Sequence, residues 1–191
     1  MKKAILYRIL IPLDKLYMSF FRPTYIGIEN IPKNGGVVLA GNHTAKLDPL
    51  LLMSSTKRTI RYLAKIELCK GKVKTWFFHN VGIIPVDRSK KNPEVIKKAC
   101  EYLNNGALLG IFPEGTINRT DDIIMPFKYG AVKMAKETDS YIVPFAITGK
   151  YKLFKKSVIV KFGKPYKLKD ELEIENKKLE NKVIKLLKEI Q

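Results

Sequence analysis

The sequence predicts an α/β fold, a single-domain αβ-sandwich in which helices cover a mixed sheet. Short apolar runs rich in β-branched residues alternate along the chain with longer segments whose apolar residues recur at helical spacing. The length of 191 residues fits one domain that buries most of its apolar surface in a common core.

The N-terminal segment 1–22 is expected to be helical and to stand apart from the domain that spans residues 23–191. It is rich in Leu, Ile, Tyr and Phe, but Arg8, Asp14 and Lys15 interrupt it. The segment therefore lacks the apolar run of about 18 residues that a membrane-spanning helix needs. Bulky apolar residues mixed with basic ones favour a helix lying in the membrane interface. A helix packed on the core is the open alternative.

A buried strand is predicted over residues 37–40, and the loop that follows it holds the first candidate site. Asp48 is expected to cap the next helix, with Pro49 at its first position. His43 then lies in a strand-to-helix loop, where α/β proteins usually place site residues. His43 and Asp48 can meet only if the residues between them turn. A carboxylate-held imidazole is a general base of fixed tautomer, although the spacing alone also fits two unconnected structural roles.

The other elements alternate along the rest of the chain. Strands are predicted over residues 25–28, 59–64, 82–86, 107–112, 141–147 and 157–162, and helices over residues 65–80, 93–106, 127–138 and 170–191. Pro144 lacks an N–H, which favours an edge position or a bulge for its strand. The aromatic cluster at residues 76–78 could line an apolar groove, dip into lipid or join the core. The apolar face of the last helix is predicted to comprise Leu172, Ile174, Leu179, Val183, Leu186, Leu187 and Ile190.

Two further polar clusters follow strands. Arg88 comes directly after a short strand and could hold a phosphate with its planar guanidinium, or it could belong to a plain surface turn. In the segment 112–119, Glu114 can accept hydrogen bonds from hydroxyl groups, Gly115 permits a tight backbone, and Arg119 can pair with a phosphate.

The loops after these strands are expected to gather at one edge of the sheet. Together they supply a base, a carboxylate that orients it and cationic phosphate ligands, but no credible nucleophile, since the chain has no Gly-x-Ser-x-Gly elbow. This set of groups suits direct transfer, in which a bound hydroxyl loses its proton to His43 while it attacks an activated acyl group.

The composition limits the kinds of molecule that the protein is expected to bind. The chain has 36 Lys and Arg against 18 Asp and Glu, a net charge of +18, which attracts nucleic acid, an anionic membrane leaflet or phosphorylated and acidic-carrier substrates. Cys69 and Cys100 are isolated, with no CxxC motif and no histidine at metal-ligand spacing. We therefore expect no metal and no cofactor.

Four blocks of sequence, in this order, resemble the motifs of the glycerolipid acyltransferases, and most closely those of the 1-acylglycerol-3-phosphate acyltransferases. The blocks are Asn42-His43-x4-Asp48-Pro49, Gly82-Ile83-Ile84-Pro85-Val86-Asp87-Arg88, Phe112-Pro113-Glu114-Gly115-Thr116 and Val143-Pro144-Phe145. Their joint occurrence is far more specific than any single block.

The resemblance implies an αβ-sandwich enzyme, peripheral or monotopic at the cytoplasmic face of the cell membrane. Its donor would be acyl-carrier protein or acyl-CoA, and its acceptor lysophosphatidic acid. His43 would be the base and Asp48 its partner. The segment 114–116, that is Glu114, Gly115 and Thr116, would lie near the acceptor.

Ile117 stands where the family usually has Arg. The acceptor phosphate is therefore expected to rest on Arg88, Arg119 and Lys128. A different acceptor, such as glycerol-3-phosphate or another lysolipid, is the alternative within the family. From another class, the charge permits a nucleic-acid-binding protein, but the sequence lacks the motifs of one, and we predict no nucleic-acid partner.

Overall fold

The computed structural model describes residues 5–65, 71–86 and 93–191. Within them, the strands are β1 (Thr24–Ile26), β2 (Val37–Gly41), β3 (Ile60–Lys65), β4 (Ile84–Val86), β5 (Leu108–Ile111), β6 (Tyr141–Gly149) and β7 (Val158–Phe162). The helices are α1 (Ile5–Ser19), α2 (Asp48–Ser55), α3 (Lys72–Val81), α4 (Pro93–Asn104), α5 (Gly130–Glu137) and α6 (Leu172–Lys188). Lys65, the first residue of the predicted helix 65–80, instead ends β3. Residues 66–70 of that prediction lie outside the described residues, as do Asp87 and Arg88.

The strands form one sheet in the order β1-β7-β6-β2-β5-β3-β4. All neighbouring strands are parallel except β6 and β7, which are antiparallel. The mixed sheet of the prediction is thus confirmed. The parallel strands β2, β5 and β6 lie side by side at its centre, so their carboxyl ends meet at one edge of the sheet.

Helices cover both faces of the sheet, as the sandwich prediction requires. Alternate residues of β2 face opposite cores: Val37 and Leu39 belong to one, Val38 and Ala40 to the other. The first core is closed by α1 and α2, and the second by α4, α5 and α6. We call the side of the sheet with the first core the α1 face and the side with the second core the α6 face.

Helix α1 is apolar on two opposite sides. One side packs Tyr7 and Met18 into the core, where both are almost fully buried. The other side exposes a stripe of large apolar side chains that continues one residue beyond the end of the helix: Ile9, Leu13, Leu16, Tyr17 and Phe20. The helix is therefore packed on the core, the alternative that the sequence left open, and it still presents an apolar surface to the outside. Among the described residues, no helix combines the length and the hydropathy needed to cross a membrane.

Two local predictions are wrong. Strand β6 is interior, so Pro144 does not lie on an edge. On the side of β7 it lies opposite Gly163, just beyond the end of that strand, so its missing N–H interrupts none of the pairs between β6 and β7. Ile174 is 51% exposed, because α6 turns Glu175 and Asn176 toward the protein instead. Of the alternatives left open for the aromatic cluster, a place in the core does not hold for Trp76, which is 60% exposed.

Candidate active site

His43 follows β2 at the carboxyl edge of the sheet. The preceding Asn42 ties this strand end to β6, since its side chain donates to the carbonyl of Ile147 and accepts from the N–H of the same residue, both at 2.8 Å. Gly41 allows the close approach, because a Cβ there would lie 2.1 Å from the carbonyl oxygen of Phe145. The backbone at the start of the His43 loop is therefore held in place against β6.

The side chains of His43 and Asp48 meet, as the turn between them was predicted to allow. Nδ1 of His43 lies 2.9 Å from Oδ2 of Asp48. In this geometry the N–H at Nδ1 donates to the carboxylate, which leaves Nε2 as the basic nitrogen. The His43 side chain is 16% exposed and that of Asp48 is fully buried. Nε2 has no hydrogen bond to any residue that the structure describes, so it is available to a substrate.

Asp48 is the first residue of α2 and not its N-cap, which corrects the prediction. The residue before it, Leu47, is the N-cap and makes no side-chain hydrogen bond. The Asp48 carboxylate is turned back into the loop, where Oδ2 accepts from the N–H groups of Thr44 at 2.6 Å and Ala45 at 2.9 Å. The hydroxyl of Tyr151 donates to Oδ1 at 2.7 Å. These donors compensate the burial of the charge.

The plane of the imidazole is fixed by an aromatic neighbour. The ring of His43 stacks on Phe112, with 4.1 Å between centroids and 21° between planes. Phe112 in turn contacts Phe145 edge-to-face at 5.7 Å and stacks with Tyr62 at 6.4 Å. Because these rings belong to the core of the α1 face, the base rests on a rigid support.

Glu114 joins the two candidate loops through the backbone. Its Oε1 accepts from the N–H of His43 at 2.6 Å, and its Oε2 accepts from the N–H of Met125 at 2.8 Å. The N–H of Asn118 donates to the carbonyl of His43 at 2.8 Å. Glu114 is 3% exposed; burial raises its pKa, and these hydrogen bonds oppose that shift. Sequence reasoning expected the carboxylate to receive hydroxyl groups, whereas the structure uses it to hold His43.

The rest of the second loop lies beside this junction. Gly115 has a φ of +76°, and a Cβ there would lie 2.8 Å from Nζ of Lys128, so the ammonium group reaches over the loop. The N–H of Gly115 donates to the carbonyl of Phe112 at 3.0 Å. Thr116 and Arg119 are exposed on the same loop. Of the predicted site residues, only Arg88 lies outside the described part of the chain.

Sequence reasoning missed Tyr151, which lies 103 positions from Asp48 and outside every motif. One signal could have found it: Tyr151 lies two residues after the carboxyl end of β6, at the same edge of the sheet as His43. The stacking role of Phe112 was also missed, although the residue stands in a motif. Among the described residues, no group of three or more His, Cys, Asp or Glu side chains could hold a metal; Cys100 is buried, and Cys69 lies outside them.

Comparisons with known proteins identify the family of this chain. The family described as Acyltransferase matches residues 22–148. A 1-acyl-sn-glycerol-3-phosphate acyltransferase of Borreliella burgdorferi is 34% identical over 152 residues, which cover 78% of this chain and 60% of the relative. The enzyme of the same name from Bacillus subtilis is 35% identical over 122 residues, 63% of this chain and 60% of the relative. The chain thus spans about 60% of the length of each of these curated relatives.

The fold has a counterpart among solved structures. The crystal structure of the 1-acyl-sn-glycerophosphate acyltransferase of Thermotoga maritima superposes with a TM-score of 0.75 at 22% identity, covering 96% of this chain and 80% of that one. The family match spans well over half of the chain, and the motif residues His43, Asp48 and Glu114 all fall within it. The chain therefore belongs to the acyltransferase family.

Proposed function

We propose that the protein transfers an acyl chain from acyl-carrier protein or acyl-CoA to the free hydroxyl of lysophosphatidic acid, making phosphatidic acid. The observation that supports this most strongly is the pairing of Nδ1 of His43 with the buried carboxylate of Asp48 at 2.9 Å. The names of the two relatives support the choice of acceptor.

The proposed reaction is a direct transfer with His43 as general base. Nε2 of His43 takes the proton of the acceptor hydroxyl while the hydroxyl oxygen forms a bond to the thioester carbonyl carbon. The carbon–sulfur bond then breaks, and His43 returns the proton to the leaving thiolate. Asp48 keeps the ring in the required tautomer and stabilises its protonated form. General-base assistance of this kind is typically worth about 10² to 10⁴-fold in rate.

The oxyanion that forms during attack needs a hydrogen-bond donor from the protein, which is worth about 10² to 10³-fold. The N–H of Gly115 is committed to Phe112 and is therefore a poor candidate. We assign this role to the next N–H groups of the loop, those of Thr116 and Ile117, neither of which donates to another described residue.

The acceptor phosphate is proposed to lie against Lys128, with Arg119 and Arg88 as further ligands. Lys128 reaches over Gly115 beside the His43 loop, and so it can supply the positive charge that Ile117 does not. Lys128→Met should raise the KM for lysophosphatidic acid about 10-fold or more, because a hydrogen bond to a charged group contributes about 1.5 to 3 kcal/mol.

Lys133→Met is the matched control, since Lys133 lies on α5, where it pairs with Glu137 at 3.8 Å. Both substitutions remove one positive charge. An equal rise in KM for the two variants would contradict a specific role for Lys128 and point to the general charge of the protein.

The reaction is proposed to take place at the cytoplasmic face of the cell membrane, with the protein bound peripherally or monotopically through segment 1–22. The apolar stripe of α1 supports this location, and Trp76, which is 60% exposed on α3, adds an aromatic side chain suited to the interface. Anionic lipid would attract the net charge of +18.

The test of the function is transfer of radiolabelled acyl groups in anionic vesicles, with acyl-carrier protein and acyl-CoA supplied separately as donors. Lysophosphatidic acid, glycerol-3-phosphate and lysophosphatidylcholine serve as acceptors in parallel. We expect labelled phosphatidic acid from the first acceptor. Product from lysophosphatidylcholine alone would overturn the assignment of a phosphate monoester as the acceptor headgroup, because the phosphate of lysophosphatidylcholine is a diester. Salt-sensitive retention of DNA with no transfer from either donor would favour the nucleic-acid alternative.

A further inference from the structure

The loop between β6 and β7, residues 150–157, is both cationic and apolar at its tip. Leu153 is 58% exposed and Phe154 is 66% exposed, the largest value among the large apolar side chains that the structure describes. Four exposed lysines flank the tip: Lys150, Lys152, Lys155 and Lys156. Two adjacent bulky apolar residues in water are unfavourable unless a partner covers them.

The conformation of this tip is imposed by the fold. Phe154 has a φ of 61°, a left-handed conformation that bulky residues rarely adopt. Its N–H donates to the carbonyl of Phe20 at 2.6 Å, and its ring meets that of Phe20 edge-to-face at 5.9 Å. At the base of the loop, the N–H of Lys150 donates to the carbonyl of Ser157 at 2.9 Å. The loop is thus built to present Leu153 and Phe154 outward.

The contact with Phe20 makes the tip continuous with the exposed stripe of α1. Residues 9, 13, 16, 17 and 20 of that stripe recur at helical spacing and end at Phe20. On the other side of the loop, Tyr151 meets Phe21 edge-to-face at 5.8 Å. We call the stripe and the tip together the interfacial surface.

The charges around the tip select its partner. An apolar tip ringed by lysines is complementary to a leaflet that presents anionic headgroups above acyl chains. A second copy of the chain would instead bring the same lysines against one another.

We propose that loop 150–157 is a second lipid-binding element beside α1. Leu153 and Phe154 enter the acyl-chain region, and the lysines pair with headgroup phosphates. The inference rests on the proposed reaction at a membrane surface. Because Tyr151 of the same loop donates to Asp48, this element places the His43–Asp48 pair directly beneath the lipid surface.

The first test is sedimentation of the full chain with phosphatidylglycerol vesicles. The double variant Leu153→Ser, Phe154→Asn removes the apolar tip, and Asn tolerates the left-handed conformation at position 154. We expect vesicle binding to weaken about 10-fold or more, because each side chain loses its burial in the acyl region. Ile174→Ser is the matched control, since Ile174 is 51% exposed on α6, which covers the opposite face of the sheet. This variant should bind the vesicles as the wild type does.

The second test addresses the charges. Replacement of Lys152, Lys155 and Lys156 by Gln should weaken binding to phosphatidylglycerol about 100-fold, at about 1 kcal/mol per lysine. Three other lysines are exposed on the α6 side: Lys169, Lys182 and Lys185. Their replacement by Gln removes the same charge and should weaken vesicle binding much less.

Unchanged binding by the tip variant, or equal losses for the two lysine variants, would overturn the proposal. The tip would then be assigned to an acidic protein partner. Vesicle binding needs no acyl transfer, so this result is independent of whether the proposed reaction occurs.

Discussion

Asp48 shows at the scale of one residue how the site is held. Its buried carboxylate accepts hydrogen bonds from the imidazole of His43, from loop N–H groups and from the hydroxyl of Tyr151. The backbone donors belong to the loop that carries His43, but Tyr151 lies in the loop that follows β6. Tyr151 is therefore a positioning residue, which acts on His43 through Asp48.

Tyr151→Phe should lower kcat about 10-fold and leave the KM for the acyl donor unchanged. The hydroxyl is the only group lost, and a hydrogen bond to a charged acceptor contributes about 1.5 to 3 kcal/mol. Steady-state kinetics with saturating acceptor measure the effect. Tyr25→Phe is the control, because the Tyr25 hydroxyl pairs with Ser54 at 2.5 Å; equal losses of kcat in both variants would contradict a positioning role.

Glu114→Gln should also reduce kcat, by about 10-fold or more. A Gln side chain has one acceptor oxygen, so it can keep the N–H of His43 or that of Met125 but not both. Glu175→Gln is a useful contrast, since Glu175 is also buried but accepts the N–H groups of Lys169 and Asp170 with one oxygen, Oε1, which Gln retains. We expect only Glu114→Gln to lose turnover; full activity of Glu114→Gln would refute the role given to that carboxylate.

At the scale of elements, the contact between α1 and the core contains an unusual group. Asp14 is 7% exposed, and neither of its carboxylate oxygens has a hydrogen-bond partner among the described residues. Burial raises the pKa of Asp14 to about 7, against the opposing charge of Lys15. The helix therefore carries a carboxyl that is easier to protonate in the folded state than in the unfolded chain.

This shift predicts how stability depends on pH. Between the unfolded pKa of about 4 and the folded value, the folded state binds more protons, so the free energy of unfolding falls as pH rises. Asp14→Asn removes this dependence. The variant should gain stability over the wild type by about 2 kcal/mol more at pH 8 than at pH 5, since each pKa unit corresponds to about 1.4 kcal/mol. Urea unfolding at both pH values measures this gain, and a gain that is independent of pH would contradict the assignment.

The elements also show what could be predicted from the sequence and what could not. Strand β2 and helix α4 follow from local periodicity, and the turn between His43 and Asp48 follows from the proline that opens α2. The interior place of Pro144 could not be predicted, because it depends on where β7 ends next to β6. Helix α1 was expected either to lie at lipid or to pack on the core, and local sequence cannot reveal that it packs on the core with one side and leaves an apolar stripe exposed on the other.

At the scale of the whole molecule, the sheet order brings the site together. The parallel strands β2, β5 and β6 end at one edge, which unites His43, Glu114 and Tyr151 from distant parts of the sequence. The motif residues were predictable because each follows an apolar strand. The hydrogen bond of Tyr151 was not, since it requires knowledge that β6 pairs with β2.

The same architecture relates the site to the proposed membrane surface. The rings that support His43 belong to the core on the α1 face, and α1 and loop 150–157 lie on that side. The helices α4, α5 and α6 cover the other face. An acceptor lipid could thus reach Nε2 of His43 from the side of the molecule that carries the exposed apolar residues.

The most direct test of the account is the rate of acyl transfer to lysophosphatidic acid by His43→Ala, beside the wild type in the same vesicles. Circular dichroism and thermal melting establish that the variant is folded, as expected for a side chain that lies at the edge of the sheet. We predict a loss of about 10² to 10⁴-fold in rate, with vesicle binding unchanged. Wild-type transfer by a folded His43→Ala protein would contradict the role of His43 as the base.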